Sequence, residues 1–223
     1  MGYKTAIIEK YSTLGGTCTN VGCIPTKALL DSTHHYHDAI HQYNAHGIEF
    51  ENINLNFEQL YKRKEAVVLK TTQGLDYLMS KNKITRIQGT ASFKDNYTVE
   101  VTDGNQLKTT YKADKIIVAT GSKPASLPNV TIDKKRIITS TEALALTEQP
   151  KSITIIGGGV IGVEMASIFH RIGTKVTIVE YADFLINTMD HELGKSLYKI
   201  LHKQGIDILL SKSVYEVNNL GDT

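Results

Sequence analysis

Between Ser152 and Glu180 the chain reads SITIIGGGVIGVEMASIFHRIGTKVTIVE. An apolar, β-branched run meets three glycines, then an amphipathic stretch, then a second apolar run closed by an acid. The spacing Gly157, Gly159 and Gly162 is G-x-G-x-x-G, set directly after a predicted strand and at the mouth of a predicted helix. Glycine serves there for a tight turn, for close approach of the backbone to a pyrophosphate, and for helix–strand contact. The helix amino terminus adds unpaired N–H groups and the positive end of a dipole. Val160 and Ile161 fill the positions between the last two glycines, and Glu164 lies early in the helix. Glu180 ends the next strand, at the ~20-residue distance where a carboxylate accepts hydrogen bonds from a ribose 2′-hydroxyl and repels a 2′-phosphate. That favours NAD(H) over NADP(H). The stretches DHELGKSLYKILHKQG and IDILL continue the alternation as helix and strand, which predicts a parallel sheet. Val214, further on, is taken with the same NAD group.

Bulk properties narrow the rest. The 223 residues carry 25 basic and 23 acidic side chains, a net charge of +2, and 41% hydrophobic residues. This balance gives no electrostatic reason to expect a nucleic-acid or anionic-membrane partner. No apolar run approaches the ~20 residues of a membrane helix. The opening MGYKTAIIEK reads as neither signal peptide nor acylation site, since Ala6 stands where myristoylation wants Ser or Thr. Two cysteines are too few for a secreted disulfide scaffold and favour a cytoplasmic redox or metal role. His34, His37 and His41 share one helix face, but a helix that polar reads as solvated or interfacial, and no metal is expected. The charged run YKRKE at 61–65 reads as an exposed helix face.

Upstream, KTAIIE at 4–9 reads as a buried strand. A helix is expected from Pro25, and a second long one over 57–82 with apolar Leu60, Val67, Val68, Leu75 and Leu78. Short strands follow in KITRIQG, ASF, YTVEV, LKTTY and the apolar KIIVATG, with a turn at Asp103–Gly104. Pro124, Pro128 and Pro150 mark a connection. The segments GYKTAIIEK and GTKVTIVEY resemble each other, which suggests two dinucleotide-binding units. The division expected is 1–121, 122–150 and 151–223. Both cysteines, Cys18 and Cys23, sit in LGGTCTNVGCIPTKALL with four residues between them. So short a loop favours a reversible disulfide over a structural staple. Cys23 lies where a helix start stabilises a thiolate, with Lys27 one turn on. Zinc is the competing reading, but two of its usual four ligands are absent nearby.

GGTCTNVGCIPTKALL resembles the redox-active segment of the flavin-dependent pyridine nucleotide–disulfide oxidoreductases. Its GCIPTKALL ending, with GLDYLMSKNKITRIQGTASF and the acid at Glu180, is most similar to the dihydrolipoamide dehydrogenases. The resemblance runs the length of the chain. It implies an α/β fold of two Rossmann-like units, one FAD-type and one NAD-type. It also implies oxidation of a protein-bound dihydrolipoyl group of a 2-oxoacid dehydrogenase-type complex by a homodimer. Electrons would pass through a Cys18–Cys23 disulfide and FAD to NAD⁺. By the same resemblance, Cys18 exchanges with lipoamide and Cys23 faces the flavin, while Lys27 lies near the reactive edge of the flavin with Glu164 paired to it. The FAD group would comprise Glu9, which takes the adenosine ribose, with Lys10, Gly16, Thr17, Lys27, Ala91, Ala119, Thr120 and Gly121.

In that family a first strand, its glycine triad and a first helix stand ahead of a segment like GYKTAIIEK. Further domains, one carrying a catalytic His–Glu pair, follow the NAD-type unit. The FAD-type unit is therefore expected to be incomplete at its start and the NAD-type unit at its end, and no histidine here stands in a matching motif. Two competing expectations follow. One is a fragment without activity, acting at most as an NAD-binding module. The other is a mercuric or glutathione-type reductase, against which Glu180 argues because such enzymes want NADPH.

Overall fold

The computed structural model describes residues 2–221. The outer limits of the expected first and last modules, residues 1 and 223, lie outside the described residues. The chain forms two compact units that interleave in sequence: residues 1–20 with 66–123, and residues 21–65 with 124–223. The expected linear division is thus not the one by which the chain packs. The segment 21–65 joins the carboxyl-terminal half because Leu29, Leu60 and Tyr61 are buried in that half's hydrophobic core.

In the first unit, strand β1 (Ala6–Glu9) pairs in parallel with β2 (Thr85–Gln88). Short helix α1 (Gly16–Val21) follows β1 in sequence. Strands β3 (Thr90–Asp95), β4 (Thr98–Thr102) and β5 (Lys108–Lys112) form an antiparallel meander. Its buried side is β4, through Val99 and Val101. Two expectations fail here. Strand β1 is not buried: Ala6 and Ile7 are exposed and only Ile8 and Glu9 are half-buried, because a two-stranded sheet leaves its apolar faces largely open. The apolar stretch 115–121 forms no strand, and Ile117 is 89% exposed. β-branched composition favours an extended chain, but a strand also needs a ladder partner, and the sheets among the described residues give it none.

The second unit is an α/β body built on a three-stranded parallel sheet. Helix α2 (Cys23–His41) starts two residues before Pro25 and buries Pro25, Thr26, Ala28, Leu29 and Thr33. Helix α3 (Phe57–Lys81) matches the long helix expected, and its first turns, to Glu65, belong to this unit. Parallel strands β6 (Ser152–Ile156), β7 (Lys175–Val179) and β8 (Asp207–Leu209) lie in that order, with Ile155 opposite Ile178. Between them run α5 (Val160–Arg171) and α6 (His191–Gln204), the alternation the sequence predicts. Helix α5 buries Val163, Met165, Ala166, Ile168 and Phe169, which line more than one face because it packs on both the sheet and α2.

The expected connection contains a single-turn helix, α4 (Ser140–Ala143), closed by a capping box. Tyr61 Oη donates to Ala143 O at 2.8 Å and buried Lys64 Nζ to Leu144 O at 2.6 Å. These two side chains satisfy carbonyls at the end of α4 that its own turn cannot. At its start, Glu142 accepts from Thr139 Oγ1 at 2.6 Å and from Thr139 N–H at 2.9 Å. The Thr139 hydroxyl, then the backbone bonds, hold the Glu142 carboxyl below its ordinary value of 4.5. A folded-state value below the unfolded one stabilises above the unfolded pKa and is lost as pH falls through the folded one. Glu142→Gln is therefore expected to flatten the loss of stability as pH falls below about 4.5. Urea midpoints of the two proteins across that range check it.

Among the described residues no helix is long and apolar enough to cross a membrane. None of their His, Cys, Asp and Glu side chains form a group of three or more arranged to hold a metal ion.

Candidate nucleotide and dithiol site

In the second unit β6 ends at Ile156 and α5 begins at Val160, so Gly157, Gly158 and Gly159 make the whole turn. Gly157 has φ +108°, a conformation that glycine adopts without penalty. A side chain at Gly162 would drive its Cβ into the carbonyl oxygen of Gly157, so the helix can sit this close to the strand only with glycine there. At Gly159 an added Cβ would meet nothing, and the backbone is ordinary at φ −70°. No packing within the protein demands glycine at 159. The open space is what a phosphate group would need to reach the backbone, and the turn therefore fits a dinucleotide.

Glu180 follows β7 and is 8% exposed. Its Oε2 accepts the Gly158 N–H at 2.5 Å and its Oε1 the Ala182 N–H at 2.7 Å. Each oxygen keeps a lone-pair direction for a further donor such as a ribose hydroxyl. The Gly158 carbonyl in turn accepts from Ile186 N–H at 2.8 Å. A Cβ on Gly158 would lie 2.5 Å from Leu185 Cδ2 and 3.2 Å from the Glu180 carboxylate. Gly158 thus supports the turn at a position that the G-x-G-x-x-G spacing treats as variable; the run of three glycines was the available signal. Val160 and Ile161 are exposed at the start of α5, and Val214 is half-buried in irregular chain after β8.

Lys27, on α2, places Nζ 2.5 Å from Glu164 Oε1, on α5. Its side chain is 59% exposed, so solvent screens the pair. Lys27→Met is expected to lower stability by no more than about 1 kcal/mol in chemical denaturation. A large effect of that substitution on turnover would then report chemistry and not folding.

The remaining members of the FAD group lie in the first unit. Lys10, with Gln88, Gly89, Thr90, Thr102, Asp103 and Gly104, lines a shallow cavity of about 500 Å³. Glu9 is half-buried next to it in sequence and accepts the Tyr11 N–H at 3.0 Å. Ala91, on β3, is exposed. Thr17 Oγ1 donates to Ser122 O at 3.0 Å, which brings α1 to the segment Ala119–Gly121. A Cβ on Gly121, at φ +75°, would lie 3.6 Å from the same hydroxyl oxygen. Glu9, Lys10, Gly16, Thr17 and Ala119–Gly121 therefore belong to one unit and Lys27 to the other.

Cys18 is the third residue of α1 and Cys23 the first of α2, the helices being broken at Gly22. Both are exposed cysteines. Cys18 lies within α1 and Cys23 opens α2, and because both are exposed, thiol–disulfide exchange at either disturbs no core.

A glycine turn between parallel strand and helix, with an acid after the next strand, defines a dinucleotide-binding α/β protein, here carrying an exposed cysteine pair. The chain belongs to the pyridine nucleotide-disulphide oxidoreductase family, whose model matches residues 1–223. It is 44% identical to the mitochondrial dihydrolipoyl dehydrogenase of Pisum sativum, over 100% of this chain and 44% of that protein. It is 45% identical to a leghemoglobin reductase of Glycine max, over 100% of this chain and 42% of that one. Among solved structures it resembles the HOCl-induced flavoprotein disulfide reductase RclA of Escherichia coli, at TM-score 0.79 and 30% identity, covering 96% of this chain and 45% of that one. The chain thus spans less than half the length of these relatives.

Proposed function

We propose that the chain carries the dithiol and nucleotide-binding part of a dihydrolipoyl dehydrogenase. The observation that carries this reading is the 44% identity to the pea enzyme along the whole chain, through both the cysteine segment and the glycine turn. Cys18 exchanges with the lipoyl disulfide or dithiol, and Cys23 is the sulfur that hands electrons on. FAD and NAD⁺, when bound, supply the two-electron relay and the terminal hydride acceptor. Glu9, Lys10, Gly16, Thr17, Ala91 and Ala119–Gly121 hold the first, with Lys27 near its reactive edge. Gly157, Gly159, Gly162 and Glu180 hold the second, and the pairing of Lys27 with Glu164 supports their assignment to one reaction centre. The partner is a lipoyl group of a 2-oxoacid dehydrogenase-type complex, the working form is a homodimer, and the location is cytoplasmic.

The test is NADH formation from dihydrolipoamide by the chain supplied with FAD and NAD⁺, beside calorimetric titration with NAD⁺ and NADP⁺. Turnover with NAD⁺ preferred supports the proposal. NADPH-dependent reduction of glutathione disulfide or Hg(II) without dihydrolipoamide oxidation overturns it. NAD⁺ binding without turnover assigns the chain the narrower role of an NAD-binding module.

A further inference from the structure

The segment that carries Cys18 is held by a side chain with no part in the chemistry so far described. Helix α1 has six residues, too few for a helix to persist in water through its own hydrogen bonds. Asn20 lies inside it and turns its carboxamide back on the loop before it. Nδ2 donates to Leu14 O at 3.0 Å and to Gly16 O at 2.9 Å, and Oδ1 accepts from Thr13 Oγ1 at 2.8 Å. Every strong hydrogen-bonding position of the amide is used except further lone-pair capacity on Oδ1. Leu14, in the middle of the clamped loop, is 2% exposed, and Gly15 has φ +100° with no room for a side chain against Thr19. Loop and helix are thus one prebuilt body. Arg86 also donates to this stretch, to Ser12 O at 2.6 Å, and to Asp76 Oδ1 on α3 at 2.9 Å, and neither of these partners is a residue of α1.

We propose that Asn20 is a positioning residue for the redox dithiol: its three hydrogen bonds hold the chain around Cys18 in one conformation and so favour disulfide formation by Cys18. This rests on the reading of Cys18 and Cys23 as a redox pair. Closing the disulfide from an ordered segment costs less conformational entropy than closing it from a frayed one. Asn20 therefore sets the equilibrium position of the pair and not only the stability of the fold.

The measurement is the thiol–disulfide equilibrium of the full chain in glutathione buffers. Each closure breaks one glutathione S–S bond, forms one protein S–S bond, and passes the two thiol protons to the two glutathione thiolates released. Asn20→Ala is expected to move the midpoint toward the dithiol by at least threefold in equilibrium constant. Arg86→Ala, which frees Ser12 but leaves Asn20 its partners, is expected to lower the urea midpoint without moving that equilibrium. Asn20→Ser, which keeps a hydroxyl too short to span the loop, gives the same comparison should the alanine variant fail to fold. An unchanged equilibrium in folded Asn20 variants overturns the proposal, as does an equal shift in Arg86→Ala, which would mark a merely structural role. If the unaltered chain closes no Cys18–Cys23 disulfide at any glutathione ratio, the redox reading itself fails and takes this one with it.

Discussion

Gly159→Ala is expected to fold as the parent does, within about 1 kcal/mol, yet to bind NAD⁺ at least tenfold more weakly, a loss of about 1.4 kcal/mol. Gly162→Ala should behave in the opposite sense, failing first in stability, by about 2–3 kcal/mol. The reasoning is geometric. A methyl at 162 meets the Gly157 carbonyl, a backbone atom that can move only if strand and helix separate. A methyl at 159 meets open space in the protein, so its cost is charged to whatever approaches the turn from outside. Urea denaturation and calorimetric NAD⁺ titration on the two variants separate the effects. Equal stability loss in both, or undiminished binding by Gly159→Ala, would remove the case for a pyrophosphate at this turn.

The second large effect is expected at Glu180. Glu180→Ala leaves the Gly158 and Ala182 N–H groups without their acceptor in a region where the carboxylate was 8% exposed. An unsatisfied buried donor costs about 1–3 kcal/mol, and since the Ala182 N–H is only part-buried the loss for the two is about 2–4 kcal/mol. Glu180→Gln keeps one acceptor oxygen but turns an amide donor toward one of the two N–H groups, so it should recover only part of the deficit. In both variants the preference for NAD⁺ over NADP⁺ should shrink, because the charge that repels a 2′-phosphate is gone. Loss of stability with the preference intact would make Glu180 a loop support and nothing more.

Gly159, Gly162 and Glu180 also show how much of the site is legible in the sequence. Gly158 excepted, the local pattern between Ser152 and Glu180 was legible: apolar runs, glycine spacing and a terminal acid each respond to one nearby requirement, and β6, α5 and β7 fall where the pattern puts them. The second role of Glu180, as acceptor for Gly158, was not, because it depends on where the segment after β7 folds back. Asn20 was hidden for the same reason: three partners within seven residues look like any polar loop until the carbonyls point inward. The stretch 115–121 erred in the other direction. Its composition states a preference for extended chain, whereas strand formation is a property of two segments, and composition reports on one. Likewise the interleaving of 21–65 with the carboxyl-terminal half follows from contacts of Leu29, Leu60 and Tyr61 far along the chain, which no window of sequence contains.

The peptide groups around Gly158 hold both ends of the stretch from Glu180 to Ile186, one through an N–H and the other through a carbonyl. Glycine amide protons usually crowd together in a nuclear magnetic resonance spectrum, but this one faces a buried carboxylate at 2.5 Å and should stand far downfield of its fellows. A single resolved peak would then follow the Glu180 carboxylate directly. A ribose hydroxyl that drew on the same oxygen would shift it, so occupancy of the turn could be watched in the unmodified protein, from the protein's side, with no label on the nucleotide.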